Sequence, residues 1–262
     1  QIDLLSGLTP GAYTLEVFWN FTGGQFGGCA ETQYESNDGN NYSLSFTIEA
    51  PEPCVNTFTM DYLGVTYDLA EAGGRCWFAE NLQATTFNNG TEIPQAITGL
   101  SWQYPGANPY RLPPGSSTGW VSEFGWLYNG GAASNGGICP SGWRVPSVAQ
   151  WQALIDAFGG NDVAGGAFKE TGNVTDQTGT WTAPNTGATN ESGMTLRGAG
   201  LAYPHDFEHG FRSYGLFWTS DYAVTDPTFA VQEKYVIALR YDAPTALVEQ
   251  YTIPHGFSIR CI

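Results

Sequence analysis

Two segments near the start of the chain alternate apolar and polar residues, which is typical of β-strands with one buried face. They cover residues 11–21 and 42–48. The apolar positions, a candidate assembly face, are Tyr13, Leu15, Val17, Trp19, Phe21, Tyr42, Leu44, Phe46 and Ile48. A two-stranded ribbon is marginally stable alone, so we expect the rest of the chain or a neighbouring copy to cover this face.

The sequence predicts two regions joined by a linker. Residues 1–50 form the ribbon region, residues 51–53 are a short Pro-containing linker, and residues 54–262 form a second domain. Alternation near the end predicts strands, which are expected at 234–241, 246–252 and 256–262. In the second domain a predicted helix comes first and a C-terminal antiparallel sheet comes last, with long loops between them. This order indicates the α+β class.

The strongest local signal is a helix at 148–158. Ser147 is a good N-cap residue and Gln150 stands three residues later, as in a capping box. Trp151, Leu154, Ile155 and Phe158 follow at helical spacing, and Gly159 ends the pattern. A second, short helix is expected at 163–170.

The amino-acid composition and the net charge argue against two classes of partner, nucleic acids and membranes. Hydrophobic residues make up 42% of the chain and aromatic residues 15%, and 34 glycines and 15 prolines indicate a loop-rich globular protein. The 25 acidic residues outnumber the 9 lysines and arginines, which gives a formal charge of −16. Because such a surface repels phosphate and anionic lipid, we expect no nucleic-acid partner. No apolar run approaches the roughly 18 residues of a membrane span, so no membrane insertion is expected.

The cysteines indicate an oxidising compartment. They lack C-x-x-C pairs and a zinc-finger spacing, so disulfides explain them better than structural zinc does. The five are Cys29, Cys54, Cys76, Cys139 and Cys261. With an odd number, one is left either as a free thiol or bonded to another chain. The expected location is secreted or at a cell surface.

Six blocks of sequence follow one another in the order found in the Fibrobacter succinogenes major paralogous domain, and the chain resembles this family from about residue 54 to residue 262. They are Cys-Trp-Phe-Ala-Glu-Asn-Leu at 76–82, Gly-Trp-Leu-Tyr-Asn at 125–129, Cys-Pro-Ser-Gly-Trp-Arg-Val-Pro-Ser at 139–147, Pro-Asn-Thr-Gly-Ala-Thr-Asn-Glu-Ser-Gly at 184–193, Phe-Trp-Thr-Ser at 217–220 and Ser-Ile-Arg-Cys at 258–261. The resemblance implies a fold like that of C-type lectins and formylglycine-generating enzymes, a location that is secreted or extracellular at a bacterial cell surface, and no definite activity.

The resemblance also implies two disulfides, Cys54–Cys76 and Cys139–Cys261, which leave Cys29 as the unpaired or intermolecular thiol. The segment before them, with its Gly-Leu-Thr-Pro-Gly phrase ahead of the first strand, resembles the last two strands of an immunoglobulin-like sandwich. The other strands of such a sandwich are missing from the chain.

Catalytic and metal signals are weak. Residues 205–209 satisfy the H-x-x-E-H pattern of inverted zinc peptidases, but Pro204 and Gly210 leave too little room for the helix that this site needs. A polar loop is the better interpretation. No serine-nucleophile elbow and no nucleotide-binding glycine pattern is present. We expect no enzyme activity, no catalytic residue and no metal or other cofactor.

Calcium is the one metal ion with some support. Oxygen ligands are available at 37–41 and 221–226, although both segments contain turn formers. The phrase Ala183-Pro-Asn185 lacks the first ligand of a lectin calcium turn.

Two functions remain. The first is a non-enzymatic extracellular structural subunit, of a filament or surface layer, that binds copies of itself through the ribbon. The alternative is a polysaccharide- or ligand-binding adhesin module. Its candidate ligand platform consists of Trp102, Tyr104, Tyr110 and Trp120. If these aromatic side chains bind no ligand, their role is to attach a long loop to the core.

Overall fold

In a computed structural model, the chain divides into two compact units, Gln1–Asn56 and Thr57–Ile262. The structure describes the backbone of 11–18, 35–37 and 41–48, residue 54, and residues 57–96, 108–204, 206–223 and 232–262, of which 206–208 are described by backbone alone. None of the helices in these ranges is long and apolar enough to cross a membrane.

The first unit contains a three-stranded antiparallel sheet. Its strands are β1 (Gly11–Phe18), β2 (Glu35–Asn37) and β3 (Asn41–Ile48), in the order β1-β3-β2. The two alternating segments therefore form strands, but the expectation of a two-stranded ribbon was wrong. Strand β2 lies in a stretch rich in Gly, Asn and acidic residues, which are depleted in strands.

The described part of the second unit combines three antiparallel sheets with short helices. The first sheet contains β4 (Thr59–Tyr62), β5 (Val65–Ala72) and β6 (Arg75–Phe78). The second, in the order β10-β9-β14-β8-β7, contains β7 (Arg111–Leu112), β8 (Leu127–Asn129), β9 (Leu201–Tyr203), β10 (Asp206–His209) and β14 (Gly256–Phe257). The third contains β11 (Tyr214–Tyr222), β12 (Glu233–Arg240) and β13 (Ala246–Thr252).

Four short α-helices and two 3-10 turns are described in this unit. The α-helices are Val121–Phe124, Gly130–Ala133, Val148–Ala157 and Ala164–Phe168, and the 3-10 turns are Pro114–Ser116 and Thr118–Trp120. The capping box that the sequence predicts is confirmed, with both reciprocal bonds between Ser147 and Gln150. The first helical N–H, that of Val148, donates to Asp221 Oδ2 at 2.7 Å. A carboxylate from a distant strand thus completes the N-terminus of this helix.

Large aromatic rings fill the core beside this helix. Trp151 packs against Trp77, with ring centroids 4.8 Å apart, and against Phe217 at 5.9 Å. All three rings are fully buried. The helix approaches the β5–β6 turn so closely that a Cβ on Gly73, whose φ is +57°, would lie 3.1 Å from a methyl group of Leu154. The turn therefore needs glycine for its conformation and for its packing.

The last predicted strand is too long. Residues 256–262 were expected to be one strand, but β14 ends at Phe257. The remaining residues bond to other parts of the unit instead: Leu82 N–H donates to Ile259 O, Phe78 N–H to Cys261 O, and Arg144 and Ile262 exchange two bonds. Each of these bonds is about 3.0 Å long. The C-terminal segment therefore joins several parts of the unit.

The only two lysines of the chain, Lys169 and Lys234, are both fully buried. Lys169 Nζ donates to three backbone carbonyls, those of Thr186, Arg240 and Ala243, at 2.8–2.9 Å. Lys234 Nζ donates to Ser220 O at 2.8 Å and lies 4.1 Å from the ring centroid of Tyr222. Burial lowers the pKa of each lysine to about 8. The folded chain therefore exposes no lysine amine.

We expect the native protein to resist amine labelling at both lysines, because the reagent reaches them only when the structure opens. An acylating reagent at pH 8, followed by peptide mass mapping, should modify Lys169 and Lys234 at least about 100-fold more slowly than in denaturing urea. Free Nα-acetyl-lysine added to each sample serves as the control for the activity of the reagent. Equal rates in both solvents would contradict the buried positions.

Candidate functional site

The candidate assembly face is consistent with the backbone register of the first unit. Strands β1 and β3 are antiparallel, and their predicted apolar positions are direct partners: Tyr13 with Phe46, Leu15 with Leu44, and Val17 with Tyr42. Ile48 lies opposite Gly11. Directly opposed residues of an antiparallel pair belong to one face of the sheet. Trp19, Phe21 and Cys29 lie outside the described residues.

The candidate ligand platform is only partly described. Trp102 and Tyr104 lie outside the described residues, and Tyr110 packs against the small apolar cluster that includes Leu112 and Phe124. The backbone N–H of Tyr110 donates to Asn129 Oδ1 at 3.0 Å. Tyr110 therefore helps to attach its loop to the core.

Trp120, by contrast, reaches the surface and is 37% exposed. Its ring centroid lies 6.2 Å from that of Phe124 and 5.8 Å from that of Phe211. The guanidinium carbon of Arg212 lies 4.8 Å from the Trp120 centroid, which is a cation–π contact. Neighbouring groups thus fix this tryptophan, and part of its ring faces solvent.

The H-x-x-E-H segment does not form a zinc-peptidase helix. Asp206–His209 is strand β10, which pairs with β9, so the predicted polar loop is also wrong. Pairing with β9 overrides the turn-forming flanks, Pro204 and Gly210. His205 lies outside the described residues. The described ranges contain no group of three or more His, Cys, Asp or Glu side chains that could hold a metal ion.

The segments considered for calcium have other roles where they are described. Asn37, at the end of β2, pairs with Asn41, at the start of β3, and residues 38–40 lie outside the described residues. The carboxylate of Asp221 accepts the helix N–H of Val148. Asn185 Nδ2 donates to the carbonyls of Glu170 and Gly172 at 2.8 and 2.7 Å.

The sequence did not predict a polar cavity of about 230 Å³ in the second unit. It lies where β5, the segment after β6, the loop around residue 195 and the C-terminal segment meet. Its charged and amide side chains are those of Asp68, Glu80, Asn81, Glu123, Arg197 and Arg260. A concave site with convergent polar groups is the usual place for a small ligand.

Arg260 organises this cavity. Only 1% of the residue is exposed, and its Nε donates to Asn81 Oδ1 at 2.8 Å. The two terminal nitrogens donate to three backbone carbonyls, those of Phe78, Met194 and Thr195, at 2.8, 2.9 and 3.3 Å. Of the five N–H groups of a guanidinium, these bonds use four. Among the described residues, one N–H at Nη2 is left for a ligand or water.

The neighbours of Arg260 are held in place as well. Asn81 Nδ2 donates to Phe124 O at 2.7 Å and to Ser258 Oγ at 3.2 Å. Arg197 Nε pairs with Glu170 Oε1, and Arg197 Nη1 donates to Glu123 O, both at 2.9 Å. The walls of the cavity are therefore rigid, which favours binding because little conformational entropy is lost.

The charges in the cavity are partly desolvated. Burial raises the pKa of Glu80, while Arg260 and Arg197 oppose this rise and Asp68 adds to it. Burial lowers the pKa of Arg260 to about 9, so its side chain still carries a positive charge at pH 7. Glu80 Oε2 accepts the backbone N–H of Asp68 at 2.9 Å. Shifted pKa values in a cleft are a recognised signature of functional sites.

Both disulfides that the resemblance implied are present. Cys139 bonds to Cys261, with an S–S distance of 2.06 Å, and Cys54 and Cys76 are disulfide-bonded. The first bond joins the entry of the Val148–Ala157 helix to the end of the chain, across 122 residues of sequence. Such bonds are typical of proteins that fold in an oxidising, extracellular environment.

The second unit is thus a disulfide-bonded module of mixed α and β structure around a tryptophan-rich core. Residues 70–262 match the family model of the Fibrobacter succinogenes major domain, so the chain belongs to this family. This confirms the resemblance seen in the sequence. Comparison with curated proteins and with solved structures gives no match.

Proposed function

We propose that the protein is a non-enzymatic structural subunit of an extracellular surface assembly, and that its N-terminal sheet joins neighbouring copies. The observation that carries this proposal is the β1–β3 register, which puts Tyr13, Leu15 and Val17 on the same face as their apolar partners on β3. A sheet of three strands has two faces, and an apolar face is stable only when something covers it.

The size of this face fits an interface. Covering it removes several hundred Å² of apolar surface, which at about 25 cal/mol per Å² corresponds to on the order of 10 kcal/mol before ordering costs. If the contact is head-to-tail and does not close into a ring, repetition produces an open filament. The acidic surface, with a formal charge of −16, keeps the rest of each subunit soluble.

We also propose a C-type-lectin-like fold for the second unit. The capped helix is followed by long loops and then by the antiparallel β11-β12-β13 sheet. The Cys139–Cys261 disulfide joins the helix entry to the end of the chain. These features support an exported body that presents the N-terminal sheet, and the disulfides support a location at the bacterial cell surface.

A paired charge substitution tests the assembly role. We expect Leu15→Asp with Leu44→Asp to abolish self-association, because two carboxylates would enter the apolar contact. The matched control is Thr14→Asp with Ser45→Asp, since these residues are also partners, one position along the strands. Sedimentation velocity at micromolar concentration should show monomers for the first variant and wild-type assemblies for the control.

The outcome that contradicts the proposal is equally direct. Wild-type protein that stays monomeric over the whole concentration range would remove the assembly role. Assemblies that survive the Leu15 and Leu44 changes would show that another surface joins the copies. Circular dichroism on each variant establishes that the second unit remains folded.

A further inference from the structure

We propose that the cavity beside Arg260 binds a single neutral sugar unit, such as the end of a glycan chain. This goes beyond the proposed assembly role and does not rest on it. It also differs from the loop platform expected from the sequence, because neither Tyr110 nor Trp120, the two platform residues that the structure describes, lines the cavity.

The first argument is convergence. Three of the six sequence blocks that mark the family supply lining residues: Glu80 and Asn81 from 76–82, Gly193 from 184–193, and Arg260 from 258–261. The bonds of Arg260 to Asn81 and to three backbone carbonyls hold these segments together. The same segments also surround an open space with charged walls.

The second argument is charge. Three carboxylates, those of Asp68, Glu80 and Glu123, line the cavity together with two guanidinium groups. The carboxylates would repel a simple anion, and Arg197 and Arg260 would repel a simple cation. A hydroxyl group both donates and accepts a hydrogen bond. A ligand with several neighbouring hydroxyl groups therefore uses both kinds of wall and leaves neither charge unpaired.

The third argument concerns the groups that remain available. Glu80 uses Oε2 for the Asp68 N–H, and among the described residues its Oε1 is left as an acceptor. Arg260 keeps one N–H at Nη2, and Arg197 keeps its Nη2 group within the same described set. Hydrogen bonds to charged groups are about twice as strong as neutral ones. These two donors and this acceptor belong to residues that line the same cavity, and such a set suits a ligand with neighbouring hydroxyl groups.

The volume restricts the ligand to one ring. The cavity, at about 230 Å³, is smaller than the roughly 300–1,000 Å³ of pockets for drug-sized ligands. A monosaccharide or a chain end fits this volume, and the interior of a folded oligosaccharide does not.

Saturation-transfer NMR on the full chain tests the proposal. The probes are glucose, galactose, mannose, xylose and N-acetylglucosamine, each at millimolar concentration and in the presence of EDTA. We expect transfer to at least one sugar, and we expect Glu80→Gln to weaken its affinity at least about tenfold, because the charged acceptor is lost. The control is Glu71→Gln, an exposed residue on β5 that does not line the cavity.

The possible outcomes separate the classes of ligand. Glycine, inorganic phosphate and putrescine are run as zwitterionic, anionic and cationic probes, and transfer to one of these without transfer to any sugar would overturn the proposal. Equal affinity in wild type and Glu80→Gln would place the sugar elsewhere. Thermal unfolding of both variants within about 2 °C of wild type excludes a general loss of structure.

Discussion

Replacing Arg260 with leucine should lower the free energy of unfolding of the second unit by about 4–6 kcal/mol. The substitution leaves four buried acceptors without a donor: Asn81 Oδ1 and three backbone carbonyls. Each unsatisfied buried group costs about 1–3 kcal/mol. Because domains of this size are stable by about 5–15 kcal/mol, the variant should lie close to its unfolding threshold.

Two other variants make this experiment specific. Arg75→Leu is the matched control, since Arg75 is exposed at the start of β6, and its effect should stay within about 0.5 kcal/mol. Arg260→Lys keeps the charge but offers three donors without the planar fork, so an intermediate loss of about 2 kcal/mol is expected. Urea unfolding followed by tryptophan fluorescence measures all three. A loss below about 1 kcal/mol for Arg260→Leu would contradict the organising role of this guanidinium.

Removing the Cys139–Cys261 disulfide should be comparably costly. The bond closes 122 residues of sequence, and a loop of this length restricts the unfolded chain by about 4–5 kcal/mol. The double substitution Cys139→Ser with Cys261→Ser should therefore lower the urea midpoint strongly.

The second disulfide gives an internal comparison. Cys54 and Cys76 close a much shorter loop, so replacing both with serine should cost about 3 kcal/mol. The test compares the losses in unfolding free energy of the two double variants. Because each variant loses one disulfide bond, the difference between them reports the effect of loop length. A larger effect at the short loop would show that loop length does not determine the stabilisation.

The parts of the fold that the sequence predicted are those controlled by neighbouring residues. The helix at Val148–Ala157 follows from its capping box and its apolar spacing, and β12 follows from the alternation of Tyr235, Ile237 and Leu239. Strand β2 has only three residues in a turn-rich stretch, so its pairing with β3 determines its structure. The segment after Phe257 alternates like a strand, but it bonds to β11, to the end of β6 with the residues that follow it, and to the loop around Arg144.

The cavity could not be predicted because its walls come from segments more than a hundred residues apart in sequence. Asn81 and Arg260 are 179 residues apart, yet they share a hydrogen bond of 2.8 Å. One signal was present in the sequence: charged residues stand within blocks that otherwise consist of core and turn residues, Glu80 in the first block and Arg260 in the last. A charge at such a position needs a partner in the folded protein.

Self-association of the full chain tests the central claim most directly. Light scattering from low to high micromolar concentration, with electron microscopy of the same samples, measures it for wild type and for a Cys29→Ser variant. We expect assemblies that grow with concentration, with regular filaments in the micrographs, and weaker growth in Cys29→Ser if this thiol joins the copies. A monodisperse monomer at every concentration would contradict the assembly role.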